Sequence, residues 1–225
     1  MTKPQILRME HLNTFDPLTE NQSKCFNAWK QGDHLMMYGT AGTGKTFLGL
    51  YFALEKVLDK SNPTEKVVIV RSAVPTREIG YLPGTIDEKL EAYTTPYVPI
   101  MSTLFDDGGA YEKLIRAERL EIMSTSHIRG ITLDDTVVVV DECQNLTFHE
   151  LDSIITRLGR NSKIIFAGDY KQSDFNKEND RRGITTFINI IEQLKTYSCV
   201  EYNWMDIVRS DFVRDYIMTK EILRY

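Results

Sequence analysis

Residues 39–46 read GTAGTGKT and match the pattern Gly-x-x-x-x-Gly-Lys-Thr in full. Glycines in such a loop let backbone amides turn inward, and the N-terminus of the following helix attracts phosphate. Lys45 is expected to bridge the β- and γ-phosphates, and Thr46 to bind Mg²⁺. A glycine turn with an incidental lysine is disfavoured, because strand, loop and helix follow in the required order. The predicted nucleotide contacts are Gly39, Thr40, Ala41, Gly42, Thr43, Gly44, Lys45, Thr46 and Phe47.

Two acidic residues end the run VVVVDECQN, in which four valines precede Asp141 and Glu142. An acid at the end of a buried strand is costly unless it binds something. Asp141 is therefore predicted to hold Mg²⁺, directly or through a water, and Glu142 to orient and deprotonate a water molecule. Alternatively, both acids open the next helix, whose dipole favours negative charge; this suits Glu142 better than Asp141.

A further polar group follows the next predicted strand, in KIIFAGDYKQSD. Gln172 comes shortly after Gly168 and Asp169, where a side-chain amide can contact the γ-phosphate and the attacking water. The pattern GDxxQ is a weak signal alone, but it becomes specific after the phosphate loop and the Asp-Glu pair in chain order. Gln172 is accordingly a predicted catalytic residue.

Gln22, in LTENQSKCF, has two competing interpretations. Thr19 and Gln22 have the spacing of a capping box, with Thr19 as N-cap and Gln22 at N3. The Gln22 amide could instead bind the adenine edge and so select ATP, which would agree with the absence of a guanine-reading Asn-Lys-x-Asp pattern. Both interpretations stay open at this stage.

Apolar runs of strand length alternate with helical patterns, which predicts an α/β fold with a mostly parallel sheet and helices on both faces. The length of 225 residues suits a single domain, 1–225. Pro75, Pro83, Pro96 and Pro99 break up the stretch of about 72–120, which is expected to be an irregular insertion. Predicted strands are 34–38, 66–70, 136–140, 163–167 and 199–204; predicted helices are about 45–59, 147–158, 184–195 and 211–223, the last capped by Ser210.

Composition excludes several classes of protein. No apolar run approaches the roughly 18 residues that span a bilayer, and the N-terminus lacks a secretory pattern, so we expect a cytoplasmic protein without a membrane partner. Three cysteines and four histidines form neither a disulfide framework nor a metal-binding pattern. A net charge of −5 disfavours a surface that grips nucleic acid everywhere, so any such contact is expected in a local patch.

Basic and aromatic residues near the predicted strand ends could form that patch. The aromatic residues could stack bases, or they could form the small core of the insertion, which is the commoner outcome. The basic candidates are Arg71, Arg77, Arg129, Lys171, Arg181 and Arg182, and the aromatic candidates are Tyr81, Tyr93, Tyr97, Phe105 and Tyr111.

The chain resembles the PhoH-like family of P-loop ATPases, which is similar to one RecA-like core domain of superfamily-one helicases. The resemblance covers about residues 18–220. Ser72 and Cys143 stand where the family pattern has Pro and Ala, and neither difference removes a chemical group from the site. The motifs that carry the resemblance are GTAGTGKT, RSAVPTREIGYLPGTIDEKLEAYTTP, HIRGITLDDTVVVVDECQN, GDYKQSD and DIVRSDFV.

The resemblance implies a RecA-like P-loop NTPase that hydrolyses ATP with Mg²⁺ and is linked to single-stranded RNA or DNA, with RNA favoured and helicase activity proposed for some members. Arg209, in DIVRSD, would then serve as an arginine finger or a γ-phosphate sensor. Alternatively, Arg209 pairs with Asp206 or Asp211 on the surface. The functional residues carried over by position are Lys45, Thr46, Asp141, Glu142, Gln172 and Arg209.

Helicases of this superfamily close ATP between two such domains, whereas this chain has the length of one. The resemblance therefore implies a homo-oligomeric ring, a hexamer, with Arg129 or Arg209 reaching the neighbour's phosphate. Two other functions stay open: a non-hydrolysing ATP-dependent assembly module, and a P-loop kinase for a small substrate. Glu142 beside Asp141 favours activation of water over transfer of phosphate to a substrate.

Overall fold

A six-stranded parallel sheet forms the centre of the protein in a computed structural model that describes residues 6–71, 94–169 and 178–223. The strands are nearly continuous runs of apolar residues, as expected where helices cover both faces. Their bounds are β1 His34–Gly39, β2 Lys66–Arg71, β3 Leu120–Ser124, β4 Thr136–Val140, β5 Lys163–Gly168 and β6 Tyr197–Tyr202.

The strand order is β3-β2-β4-β5-β1-β6, and every neighbouring pair is parallel. One strand, β5, therefore separates β1 from β4, with Leu35 and Val139 both in register with Ile165. Because all strands run the same way, their carboxyl ends lie at one edge of the sheet. The loops after β1, β4 and β5 consequently meet there, as ligand-binding loops do in open α/β sheets.

Helices pack on both faces. The bounds are α1 Glu20–Gln31, α2 Lys45–Leu58, α3 Tyr97–Phe105, α4 Ala110–Arg116, α5 Thr125–Ile128, α6 Phe148–Ile155, α7 Glu178–Ile191 and α8 Asp211–Ile222. Helices α1 to α4 share one buried cluster with alternate strand residues such as Met37 and Val139, while α6 and α7 pack on the other face with Met36 and Val138. The two-residue alternation of each strand thus divides the core into two layers. None of the described helices is long and apolar enough to cross a bilayer.

The predicted fold class is confirmed, and the predicted strands correspond to β1, β2, β4, β5 and, two residues earlier than expected, β6. Strand β3 was not predicted. Its sequence, LEIMS, is short and mostly half-buried, and its Glu121 forms an ion pair with Lys66 on the neighbouring strand β2 at 2.6 Å. Ser210 is the N-cap residue of α8, but its side chain makes no capping hydrogen bond.

The segment expected to be irregular contains two helices, α3 and α4, within the described residues. Pro99 lies in the first turn of α3, where no intrahelical bond from its nitrogen is needed, so it does not interrupt the helix. Tyr97 and Phe105 are buried in the core, and Tyr111 packs against it. Base stacking is therefore wrong for Tyr97 and Phe105, while Tyr81 and Tyr93 lie outside the described residues.

Candidate functional site

The phosphate loop joins the end of β1 to the start of α2 at Lys45. Gly42 and Gly44 have φ angles of 74° and 82°, in the left-handed region that residues with a Cβ rarely adopt. Their conformation brings the chain into the tight curve that the glycine pattern predicted. The loop therefore curves around the N-terminus of α2, and its backbone N–H groups can bind an anion there.

Two carbonyl groups of the phosphate loop accept hydrogen bonds from residues outside the loop. Gln22 donates from Nε2 to the Thr43 carbonyl at 3.1 Å, and the Val208 amide donates to the Gly42 carbonyl at 3.1 Å. In a trans peptide the carbonyl and the next N–H point in opposite directions. Fixing these two carbonyls outward therefore turns the amides of Thr43 and Gly44 toward the phosphate side.

Gln22 is buried, and both ends of its amide bind backbone: Oε1 accepts from Leu18 at 2.7 Å while Nε2 binds the loop. Thr19 Oγ1 accepts from the backbone N–H of Gln22 at 3.3 Å, so Thr19 caps α1. Half of the expected capping box is present, because the Gln22 side chain binds Leu18 instead of Thr19. Contact between Gln22 and adenine stays a prediction.

Lys45 is buried, and its ammonium donates to the carbonyls of Gly39 and Thr40 at 2.8 and 2.7 Å and to Thr43 Oγ1 at 3.3 Å. Burial lowers its pKa, while the carboxylates of Asp169, Glu142 and Asp141 act to raise it. A buried ammonium needs acceptors, and the loop carbonyls supply them here. Phosphate oxygens are stronger acceptors for the same donor.

Thr46 and Asp141 meet at the carboxyl edge although 95 residues separate them in sequence. Thr46 Oγ1 donates to Asp141 Oδ1 at 2.7 Å, and the Tyr97 hydroxyl donates to Asp141 Oδ2 at 3.0 Å. Burial, followed by the charge of Glu142, raises the pKa of Asp141, while the Thr46 hydrogen bond acts against this. Among the described residues, the hydrogen-bond donors to this buried carboxylate are the neutral hydroxyls of Thr46 and Tyr97, so a cation suits it as a further partner.

Glu142 follows Asp141 with φ of 52°, which turns its side chain out of the line of β4. Its Oε2 accepts from Gln144 Nε2 at 2.6 Å, and Gln144 Oε1 accepts from the Asp169 amide at 2.9 Å. Gln144 thus orients the Glu142 carboxylate and joins the ends of β4 and β5. Gly168 allows this approach, because a Cβ there would lie 2.5 Å from Gln144 Oε1 and 2.6 Å from Cys143 Sγ.

Arg209 is exposed and lies beside the loop of its own chain. Its Cγ would be 3.2 Å from a Cβ at Gly42, and Ile217 of α8 approaches the same point at 3.3 Å. Asp211 pairs with Arg214 at 2.8 Å, and Arg209 makes no ion pair with Asp206 or Asp211 in this part of the described chain. The surface-pair alternative for Arg209 is therefore wrong.

Arg129 is exposed just after α5, at the carboxyl end of β3. Four strand spacings, about 19 Å at the usual separation, lie between β3 and β1. Arg71 lies at the end of β2 with its guanidinium 5.8 Å from the centre of the Tyr97 ring. Gln172, Arg77 and Lys171 lie outside the described residues, as do the side chains of Arg181 and Arg182.

The residues present fit a magnesium nucleotide. Thr46 and Asp141 offer adjacent hard oxygens, which Mg²⁺ prefers. Thr40 Oγ1, in the phosphate loop, is buried and has no hydrogen-bond partner among the described residues. Gln144 and Val208 also belong to the site, although no sequence pattern predicted a role for them, and Tyr97 binds Asp141 instead of stacking on a base. The spacing DECQN was the one available signal, since it places Gln144 two residues after Glu142.

The phosphate loop after β1 and the Asp-Glu pair after β4, on a parallel sheet, define a P-loop ATPase domain of the RecA-like kind. The sequence model of the family described as "PhoH: PhoH-like protein" matches residues 14–220. The chain therefore belongs to the PhoH-like family, as the motifs predicted.

Curated relatives agree with this assignment. The PhoH-like protein of Bacillus subtilis strain 168 is 34% identical over 198 residues, covering 87% of this chain and 60% of that protein. The PhoH-like protein of Mycobacterium tuberculosis strain H37Rv is 32% identical over 207 residues, covering 91% of this chain and 57% of that protein. The chain thus spans less than two thirds of the length of these relatives.

Among solved structures, the large terminase of a thermophilic bacteriophage, in complex with ADP, aligns with a TM-score of 0.50. The alignment covers 89% of this chain and 49% of the terminase, at 11% sequence identity. At this identity the similarity concerns the fold, and it agrees with the RecA-like architecture described above.

Proposed function

We propose that the domain hydrolyses ATP, with Mg²⁺ held by Thr46 and Asp141 and with Glu142 as the general base. The observation that carries this proposal is the contact of Thr46 with Asp141 at 2.7 Å, next to Glu142, whose carboxylate Gln144 holds at 2.6 Å. Bound Mg²⁺ would neutralise charge that develops on the phosphate oxygens. A site built only to hold nucleotide has no evident need for an oriented second carboxylate.

Each side chain then has a separate task. The amides of Thr43 and Gly44, with Lys45, bind the phosphates and stabilise the negative charge of the transition state. Gln144 holds the Glu142 carboxylate at 2.6 Å, and this carboxylate would accept a proton from the attacking water. Gln172 stays a predicted contact to the γ-phosphate.

Coupling to single-stranded nucleic acid, most of all RNA, is the second part of the proposal. Family membership and a polar, partly basic carboxyl edge support it, since Arg71 and Arg129 lie at the ends of neighbouring strands. A grip through phosphates would weaken steeply as salt is raised. Unwinding of a duplex is not needed for this coupling.

A homo-oligomeric ring, hexameric by family resemblance, is the third part. Arg209 lies against the loop of its own chain, whereas Arg129 follows β3, a strand that lies about 19 Å from β1. Arg209 is therefore proposed to contact the nucleotide of its own subunit, and Arg129 to reach that of a neighbour. A head-to-tail contact of this type forms a ring when the rotation between successive copies closes.

Steady-state ATP hydrolysis by the wild type and by Glu142→Gln, with and without single-stranded RNA and DNA at low salt, tests the proposal. We expect Glu142→Gln to bind ATP but to turn over at least about 100-fold more slowly, the usual range for loss of a general base. Glu112→Gln is the matched control, because Glu112 is exposed on α4 away from the loop, and its rate should equal that of the wild type.

The other outcomes separate the competing functions. Binding of ATP without turnover by the wild type would favour the assembly module. Turnover that needs an added small acceptor and ignores Glu142→Gln would favour the kinase. Hydrolysis indifferent to RNA and DNA at low salt would remove the nucleic-acid part and leave the ATPase.

A further inference from the structure

Two chain segments that lie far apart in sequence hold neighbouring carbonyls of the phosphate loop. Gln22, in the first turn of α1, binds the Thr43 carbonyl, and Val208, after β6, binds the Gly42 carbonyl. Both also approach Gly44, where a Cβ would lie 3.6 Å from Gln22 Nε2 and 3.7 Å from Val208 Cγ2. The orientation of the loop amides therefore depends on the placement of α1 relative to the turn after β6.

The turn after β6 is itself ordered by Asp206, which is only 2% exposed. Asp206 Oδ2 accepts from the Asn203 amide at 2.9 Å, while Asn203 Oδ1 accepts from the Met205 amide at 2.8 Å. This pair of reciprocal bonds closes the short helix Trp204–Asp206 and directs the chain to Val208. Asp206 thus acts on the phosphate loop through the turn that it closes.

Asn21 connects the two segments. Its Nδ2 donates to the same Asp206 Oδ2 at 2.8 Å, across 185 residues of sequence. Its Oδ1 accepts from Lys24 at 3.0 Å, so the orientation of the amide is determined on both sides. Asn21 precedes Gln22 directly, so the bond to Asp206 and the bond to Thr43 start from adjacent residues.

We infer that Asn21 and Asp206 are positioning residues for nucleotide binding, because their hydrogen bond keeps Gln22 and Val208 together on the phosphate loop. The contacts form a closed circuit from Gly42 and Thr43 through Gln22, Asn21, Asp206 and Val208 back to the loop. Opening it at the Asn21 to Asp206 bond frees the two outer contacts to move apart. The amides of Thr43 and Gly44 then lose their fixed direction, and affinity for phosphate falls.

This inference rests on the proposed nucleotide site, and it is tested by titrating a fluorescent N-methylanthraniloyl derivative of ADP, with Mg²⁺, into the full chain. We expect Asn21→Ala to weaken binding about tenfold, the usual effect of losing one hydrogen bond to a charged group. The KM for ATP should rise by a larger factor than kcat falls, because Glu142 is untouched while the loop amides also stabilise the transition state.

Two substitutions at Asn21 separate positioning from a general loss of structure, because both leave the bond from the Asn203 amide to Asp206 Oδ2 in place. Asn21→Asp sets two carboxylates against each other and should weaken binding more than Asn21→Ala does. Circular dichroism and the Tm verify that both variants are folded. Binding by folded Asn21→Asp that is no weaker than that of Asn21→Ala overturns the inference.

Asn161 supplies a matched control. Its Nδ2 donates to Asp135 Oδ1 at 2.7 Å, the same chemistry, but both residues precede strands at the opposite edge of the sheet. Asn161→Ala should leave nucleotide affinity unchanged. Equal binding by the wild type and Asn21→Ala contradicts the inference alone, whereas no binding by the wild type contradicts the proposed function.

Discussion

Asp141 is the residue at which the demands of folding and of the site oppose each other most clearly. Burial raises its pKa above the ordinary value of 3.8. Between that value and the raised one, the folded protein binds more protons than the unfolded chain. The free energy of unfolding therefore falls as pH rises through this window, because the folded state must then hold a buried charge. Binding of Mg²⁺ requires that same charged form.

Asp141→Asn should consequently stabilise the nucleotide-free protein at pH values above this window, and it should remove the Mg²⁺-dependent binding of nucleotide. In a series of increasing pH, the rise in Tm caused by the substitution should grow through the window, reaching about 2–4 °C if the gain is near 1 kcal/mol. Affinity for magnesium ADP should fall at least about tenfold, since a charged ligand is lost. Differential scanning calorimetry and nucleotide titration measure the two effects.

Asp152→Asn is the control, because Asp152 is exposed on α6. Asp152→Asn should change neither the Tm nor the affinity for magnesium ADP. A lower Tm for nucleotide-free Asp141→Asn would show that the hydrogen bonds from Thr46 and Tyr97 outweigh the cost of burying the charge.

The position of Glu142 depends on the contact between two neighbouring strand ends, those of β4 and β5. The end of β5 carries Gly168, and the turn after β4 carries Cys143 and Gln144, which occupy the space a side chain at Gly168 would need. Strand β5 also pairs with β1, with Tyr38 opposite Gly168. The position of the Glu142 side chain thus depends both on the conformation of its own turn and on the close contact between these two strand ends.

Gly168→Ala should therefore impair turnover more than nucleotide binding. The added methyl must displace Gln144, which holds Glu142, so we expect kcat to fall at least about tenfold while Kd changes little. Overpacking should also cost about 1–3 kcal/mol of stability, measured by urea denaturation.

Gly49→Ala makes the same substitution in the middle of α2, where the new Cβ meets Ile165 and Met37 at 3.4 Å. Its rate should stay near that of the wild type. A Gly168→Ala enzyme with normal kcat would mean that Gln144 does not position the base.

Among the described residues of the whole molecule, Arg129 and Arg209 are exposed on the nucleotide edge, at opposite ends of the strand order. Arg209 follows β6 and lies on its own phosphate loop, while Arg129 follows β3 at the far side of the sheet. Helix α8, which approaches the loop through Ile217, has no buried residue and exposes Phe212 and Tyr216. This arrangement suits nucleotide sites shared between neighbouring copies.

Mixing of inactive variants tests this arrangement. In a 1:1 mixed ring of Arg129→Ala and Glu142→Gln, about one site in four combines an intact Glu142 with an intact Arg129 of the neighbour. ATP hydrolysis should therefore rise well above that of either variant alone.

The same mixture made with Arg209→Ala should not recover, because Arg209 and Glu142 are expected to serve the same subunit's site. Light scattering verifies that the variants assemble. Recovery with Arg209→Ala, or none with Arg129→Ala in intact rings, would reverse or remove the proposed roles.

Much of this site was predictable from local patterns. GTAGTGKT predicted the loop between β1 and α2, and four valines before Asp141 predicted a buried strand that ends in an acid. Strand β3 was missed because its five residues alternate too little to stand out, and Pro99 was misread because proline is tolerated in a helix's first turn. These errors concern short elements, whose patterns are weakest.

Local sequence was sufficient wherever short-range sterics decide, as at the left-handed glycines of the phosphate loop and in the apolar strands. Tertiary structure alone decided the strand order, and with it the contacts of Asp141 with Thr46 and Tyr97 and of Asn21 with Asp206. Such contacts join residues whose separation in sequence carries no periodic signal. They form only when the packing of both faces of the sheet brings the strand ends and their flanking turns together.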